Sequence, residues 1–293
     1  MSAAARIAAF VALLAAIFAT AALAGSTLDP SGGGDDEHAA AGDSAAGAGG
    51  HGAATARDPH GTGTAAGDEP AGLASTQGGL RLLPGETRFA AGRAFTLRFR
   101  IAGEDGATVR SFEPEQSRLM HLIVVRRDLR RYQHLHPAQG PDGGWSVRMR
   151  LPDAGVYRAF ADFRSGGERH TLGIDLFVPG DFAPLELPAP SHHATTGPYD
   201  VALSERGGGE LRFSVRRDGR LVSDLEPYLG ARGHLVALRE GDLAYGHVHP
   251  EDASPREIAF QTGAAEPGRY RLFLQFRHRD VVRTVAFTRE VAP

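Results

Sequence analysis

The chain repeats itself, and that repeat limits it to folds made of two equivalent units. Displacing the sequence by 113 residues from Gly106 onward superposes it on itself without a gap as far as the Thr171/Thr284 pair. Met120-His121-Leu122 falls on Gly233-His234-Leu235. Tyr132-Gln133-His134-Leu135-His136-Pro137 falls on Tyr245-Gly246-His247-Val248-His249-Pro250, and Gly155-Val156-Tyr157-Arg158 on Gly268-Arg269-Tyr270-Arg271. Self-similarity at a fixed period means one structural unit made twice. Each unit is about 100 residues, a common size for a single domain.

Within each unit the apolar period is two. Alternating runs occupy 95–101, 119–125, 157–163 and 172–178, with counterparts at 211–215, 235–238, 270–276 and 285–291. Turn signals such as Asp105-Gly106, Asp142-Gly143-Gly144, Gly166-Gly167 and Asp218-Gly219 lie between them. No helical period of useful length follows residue 80. Short alternating strands separated by turns predict an all-β chain of two tandem immunoglobulin-like antiparallel β-sandwiches. The Gly-x-Tyr segments resemble the late strand of immunoglobulin-like domains, with Ala159 and Leu272 where such domains often carry a disulfide cysteine.

The rest of the chain divides by composition. Residues 1–24 are Arg6 followed by an apolar run ending in Ala22-Leu23-Ala24, which reads as a signal peptide or a membrane-anchoring helix. Either reading places the remainder outside the cytoplasm, secreted or anchored, with the membrane touched only through that helix. Residues 25–79 hold no aromatic, Val, Ile or Met, and read as a disordered Gly/Ala/Asp-rich linker. The first sandwich is then 80–182, a Pro-rich linker 183–198, and the second sandwich 199–293. Eight acidic residues against Arg57 alone in 25–79 leave residues 80–293 close to neutral, with no electrostatic footprint for nucleic acid. Cysteine is absent, so any metal site must use His, carboxylate or Met.

Histidine is the residue type that stands out in the repeat. A hairpin turning at Arg127-Asp128 sets His121 opposite His134, and one turning at Glu240-Gly241 sets His234 opposite His247. His136 and His249 lie two residues further along, on the same faces. Two co-facial triads are expected: His121, His134 and His136, and His234, His247 and His249. Met120 points to the opposite face. Imidazole without thiolate suits Cu(II) or Zn(II). Alternatively, the histidines close the end of a core that also holds Leu119, Ile123, Val125 and Tyr132, and Val236, Leu238 and Tyr245 in the second copy. The unmatched His170 and His278 and the basic turn Arg126, Arg127, Arg130 and Arg131 are expected to be solvated. Asp162 corresponds to Gln275, so the units share no carboxylate to serve as a general base, which counts against a hydrolase.

The motifs His121-Leu122-Ile123-Val124-Val125, Tyr132-Gln133-His134-Leu135-His136-Pro137, Gly233-His234-Leu235-Val236 and His247-Val248-His249-Pro250 resemble a group of uncharacterised bacterial exported proteins. More loosely, the chain resembles YtkA-like and copper-resistance immunoglobulin-like domains. Those domains bind copper through a His at an amino terminus and in loops, and this chain lacks a counterpart of the amino-terminal His. The resemblance implies a non-enzymatic copper- or zinc-binding protein, a sensor, buffer or chaperone. Its partners would be the metal ion and other cell-envelope proteins. A structural or interaction module with core histidines is the competing expectation.

Overall fold

The computed structural model describes residues 70–293 apart from positions 247, 252, 264 and 293. Residues 1–69, with the expected leader and most of the expected linker, and the candidate ligand His247 lie outside the described residues. Among the described residues the chain is all-β, and no helix is long and apolar enough to cross a membrane.

The first repeat contains β1 (Thr76–Gln77), β2 (Leu80–Pro84), β3 (Ala94–Ala102), β4 (His121–Arg126), β5 (Gln133–Leu135), β6 (Ala138–Gln139), β7 (Trp145–Arg150), β8 (Gly155–Ser165) and β9 (Glu168–Val178). These form one sheet in the order β1-β2-β3-β7-β6 and a second in the order β5-β4-β8-β9. The second repeat contains β10 (His193–Thr196), β11 (Tyr199–Arg206), β12 (Glu210–Arg217), β13 (Arg220–Leu221), β14 (Gly233–Arg239), β15 (Tyr245–Gly246), β16 (Val248–Glu251), β17 (Ile258–Thr262), β18 (Gly268–His278) and β19 (Val281–Val291). Its sheets are β10-β11-β12-β17-β16, with β13 on β12, and β15-β14-β18-β19. Every pairing between these strands is antiparallel.

This is the immunoglobulin-like division of strands, twice over. The Gly-x-Tyr motif explains itself locally. Gly155 and Gly268 open the long strands β8 and β18 with φ of 132° and 142°, a region closed to most side chains. Two residues on, Tyr157 Oη donates to Asp153 O at 3.0 Å and Tyr270 Oη donates to Glu266 O at 2.9 Å. That bond is the tyrosine corner of immunoglobulin-like domains, and it pins the loop entering the strand. Ala159 and Leu272 then point into the two cores, where apolar packing replaces a disulfide.

Each sandwich has its own core. Leu97, Phe99, Leu122, Val124, Trp145 and Phe163 fill the first, and Val201, Phe213, Leu235, Phe260, Leu274 and Phe276 the second. A third cluster lies between the repeats. Strand β4 is buried along its whole length, because Leu122 and Val124 face their own sandwich while Ile123 and Val125 face the second repeat. Ile123, Val125 and Phe160 meet Val236, Leu238, Tyr245 and Phe273 there. The contact is isologous in the sense of a two-fold dimer. Tyr132 stacks on Phe273 with centroids 4.1 Å apart, and their repeat equivalents Tyr245 and Phe160 meet at 5.5 Å.

Two boundaries differ from the compositional reading. Residues 70–79, grouped with the linker, belong to the first repeat. β1 lies there, Gly72 N donates to Thr171 O at 2.9 Å, and Gly173 N donates to Ala74 O at 2.8 Å. Gly72 passes so close to Phe160 that a Cβ would sit 2.5 Å from its ring. His193–Thr196, placed in the Pro-rich linker, is strand β10. Both segments are held through backbone hydrogen bonds, which composition does not register. The basic turn is not uniformly solvated: Arg126 is buried, with its guanidinium on both oxygens of Asp128 at 2.9 and 2.7 Å.

Candidate metal centre

The histidines sit at one end of the face between the repeats. The first hairpin closes through a three-residue turn, in which Arg126 N donates to Arg130 O at 2.8 Å and Leu129 takes a left-handed φ of 59°. A bulge follows, so Ile123, not His121, pairs with His134. In the second hairpin Arg239 N donates to Ala244 O, and Leu238 pairs with Tyr245. Both registers are therefore two residues away from those of a two-residue turn. A slip of two keeps every side chain on its face, whereas a slip of one would have turned the histidines away.

The structure brings His121, His134 and His136 together, and adds His234 from the other repeat. His121 Nδ1 lies 3.0 Å from His134 Nε2. The His134 and His234 rings stack with centroids 4.3 Å apart, His121 and His234 at 5.7 Å, and His134 and His136 at 4.7 Å. One ligand nitrogen from each of His121, His134 and His234 falls within 4.8 Å of the other two. Of the second expected set, His247 lies outside the described residues and His249 stands apart from His234. His249 is exposed on β16, in the opposite sheet of its sandwich, because β16 pairs with β17 rather than continuing the hairpin.

The ring nitrogens have defined partners. His121 Nε2 lies 2.9 Å from Glu115 O, an acceptor, so this nitrogen carries the proton and Nδ1 presents a lone pair. His134 Nδ1 lies 2.6 Å from Gln275 Oε1, and Gln275 Nε2 donates to Thr284 Oγ1 at 3.2 Å. With the amide in that orientation, His134 is protonated on Nδ1 and its Nε2 also presents a lone pair. Two lone pairs then converge at 3.0 Å. His234 Nδ1 and His136 Nε2 are buried and have no hydrogen-bond partner among the described residues.

Burial favours the neutral form of all four rings. It lowers the pKa of His121, lowers that of His134 well below the usual value, brings His136 to about 4 and His234 to about 3. The neighbouring imidazoles push His134, His136 and His234 the same way. Protonation is thus a costly answer to the facing lone pairs. A divalent ion answers them directly, since two nitrogens each about 2.0–2.1 Å from one ion stand about 3 Å apart at near-right-angle coordination. The Glu115 carbonyl and the Gln275 amide would orient the ligand rings, as outer partners of metal-bound His do. Asp162 is not in that role. It lies opposite His121 in register, but Arg169 holds it with two bonds of 2.9 and 2.6 Å.

The profile of one family, a domain of unknown function (DUF8832), matches residues 76–180 and again 194–293. The chain belongs to that family. Each DUF8832 copy coincides with one sandwich, and a likeness to YtkA-like or copper-resistance domains is not shown. No curated protein matches the chain. Among solved structures, the Escherichia coli adhesin FdeC is 12% identical, with a TM-score of 0.26 over 73% of this chain and 64% of its own. A Salmonella alpha-2-macroglobulin mutant is 16% identical, with a TM-score of 0.28 over 75% and 15%. The chicken CNTN1 FN1–FN3 domains are 11% identical, with a TM-score of 0.20 over 76% and 69%. The chain thus spans less than two thirds of the first two.

Two residues of the DUF8832 pair were misjudged from sequence. Gln275, the non-carboxylate counterpart of Asp162, reaches across the interface to His134. The signal was its place on the strand beside His234, its register partner. His278, expected to be solvated, is buried with Nδ1 2.8 Å from Tyr199 Oη, while His170 is half-buried on Phe163.

Proposed function

We propose that this DUF8832 protein binds one transition-metal ion, Cu(II) or Zn(II), at a single site built across its two repeats from His121, His134 and His234, with His136 beside them. The observation that carries this reading is the convergence of His121 Nδ1 and His134 Nε2, 3.0 Å apart, next to a buried unpartnered nitrogen of His234. Neutral imidazoles without thiolate or a free carboxylate suit Cu(II) and Zn(II). The role is non-enzymatic, a sensor, buffer or chaperone acting outside the cytoplasm. That location rests on the leader 1–24.

The test is a titration of the full chain with Cu(II) and with Zn(II), read by native mass spectrometry and calorimetry. One ion per chain is expected, lost in His121→Ala and His234→Ala and retained in His249→Ala. Equal affinity in the wild type and the His121→Ala/His234→Ala double variant would sink the proposal.

One observation favours a structural role instead. Turning the Gln275 amide over makes a closed relay. Gln275 Nε2 then donates to His134 Nδ1, His134 Nε2 to His121 Nδ1, and His121 Nε2 to Glu115 O. In that case the histidines are hydrogen-bonded interface residues of an interaction module. The relay leaves His234 Nδ1 and His136 Nε2 without partners, which is why we prefer the ion. Nitrogen-15 shifts of His134 separate the two, since the ion site needs its proton on Nδ1 and the relay needs it on Nε2.

A further inference from the structure

The face between the repeats is held differently at its two ends. At one end the connecting segment is fastened to both sandwiches. Leu187 is buried in the shared apolar cluster, Arg130 Nη2 donates to Glu186 O at 3.0 Å, and Arg269 Nη2 donates to Pro188 O at 3.1 Å. Leu185 N also donates to Asp128 at 3.3 Å. At the other end stand the histidines. His121 and Arg126 mark the two ends of β4, about 17 Å apart at the rise of an extended strand. Between them lie the apolar contacts, and one backbone bond of the segment before β1, where Tyr245 N donates to Ala71 O at 3.0 Å.

The histidine end is therefore the end without a covalent connection, and its polar groups are supplied by both repeats. In the ion-free chain, with Gln275 oriented as found, it gathers repelling lone pairs and unpartnered nitrogens. Filled, it is a set of bonds from His121 and His134 on one side and His234 on the other. Resting on the metal-site reading above, we propose that the ion is a latch between the two sandwiches. The connecting segment is the hinge, ion binding closes the histidine end, and ion loss lets that end part while the hinge end stays packed. Ion binding can shift such an equilibrium because the bridging ligand set exists only in the closed form.

Spin labels on the full chain test this, with Zn(II) as a diamagnetic probe. The chain has no cysteine of its own, so placed cysteines label cleanly. Ser117→Cys with Arg232→Cys reports the histidine end, where Ser117 approaches Gly230 of the second repeat. Arg127→Cys with Glu240→Cys reports the hinge end. Zn(II) is expected to shorten and narrow the distance distribution of the first pair and leave the second unchanged. His234→Gln, which keeps the side chain's bulk and a polar head, is expected to abolish the Zn(II) effect. If Zn(II) binds by calorimetry and the first distribution is the same with and without it, the latch is overturned and the metal site stands. If neither Zn(II) nor Cu(II) binds by calorimetry, both fall.

Discussion

The two repeats share a fold and differ in what they place on their common face. The apolar part of that face is symmetric: Ile123 answers Val236, Val125 answers Leu238, and the Tyr132–Phe273 contact is matched by Tyr245–Phe160. The polar end is not. The first repeat supplies His121, His134 and His136 there, and the second supplies His234 and an amide, Gln275. Asp162, the equivalent of Gln275, is engaged by Arg169 instead, and the position equivalent to Arg169 is Val282. One residue therefore decides whether this strand position holds the partner's histidine, as Gln275 does, or an arginine of its own repeat and the partner's Tyr245, as Asp162 does. The repeats share the apolar part of the interface and differ at its histidine end.

The largest effect is expected where symmetry holds. Phe160 is fully buried between the repeats, and its truncation leaves a cavity next to Tyr245 and removes the neighbour of Gly72. Phe160→Ala should cost about 3–5 kcal/mol in denaturant unfolding, and Phe273→Ala a similar amount. Both variants should destabilise the whole described chain. A second, unaffected unfolding transition would show that the repeats fold independently and that the shared cluster contributes little.

The asymmetric end governs pH dependence. In the ion-free chain His121, His134, His136 and His234 are held below the ordinary imidazole value by burial, His136 at about 4 and His234 at about 3. The unfolded chain has ordinary imidazoles, so below pH of about 6.5 it takes up protons that the folded chain refuses. Stability is therefore full above that pH and falls as pH drops towards 4. The limiting slope is about 1.4 kcal/mol per pH unit for each imidazole that stays neutral. Denaturant midpoints between pH 7 and 4 measure it. His234→Asn should reduce the slope by about one such increment. An unchanged slope would mean that His234 is protonated in the fold.

How far this was readable from sequence depends on which force placed each residue. The repeat, the strands and the co-facial His121, His134 and His136 follow from a period of two. That period survives a register shift of two residues. The length of the hairpin turn was not readable, because Leu129 and Leu243 adopt left-handed conformations, φ of 59° and 65°, where glycine or asparagine would have signalled the turn. Nor was the split between His234 and His249, since strand alternation says nothing about a chain that changes sheet between Gly246 and Val248. The site as a whole crosses two domains. Sequence pattern within one hairpin has no term for the face of another.

A finer cut between the repeats comes from Gln275. If its amide orients His134 for an ion, Gln275→Leu should weaken Zn(II) binding about 10–100-fold in calorimetry, the usual scale for losing an outer partner of a ligand His. The corresponding change in the first repeat, Asp162→Asn, should leave affinity nearly unchanged, because Asp162 is committed to Arg169 and Thr171. Equal losses in the two variants would mean that the asymmetry has no bearing on the ion.

The smallest expected effect returns to what the repeats have in common. Tyr157 and Tyr270 each donate one hydrogen bond to a backbone carbonyl, Asp153 O and Glu266 O. Removing the hydroxyl while keeping the ring leaves that carbonyl short of one partner, which costs about 0.5–1.5 kcal/mol. Tyr157→Phe and Tyr270→Phe should each lower the unfolding free energy from denaturant titration by that amount, and the double variant by the sum, since each bond lies inside its own sandwich. Neither should alter Zn(II) affinity, because both corners lie at the starts of β8 and β18, while the histidines face Asp162 and Gln275 six or more residues along those strands. A loss of ion binding in either variant would show that the corners reach the shared face. The two repeats would then be coupled through their cores as well as across their interface.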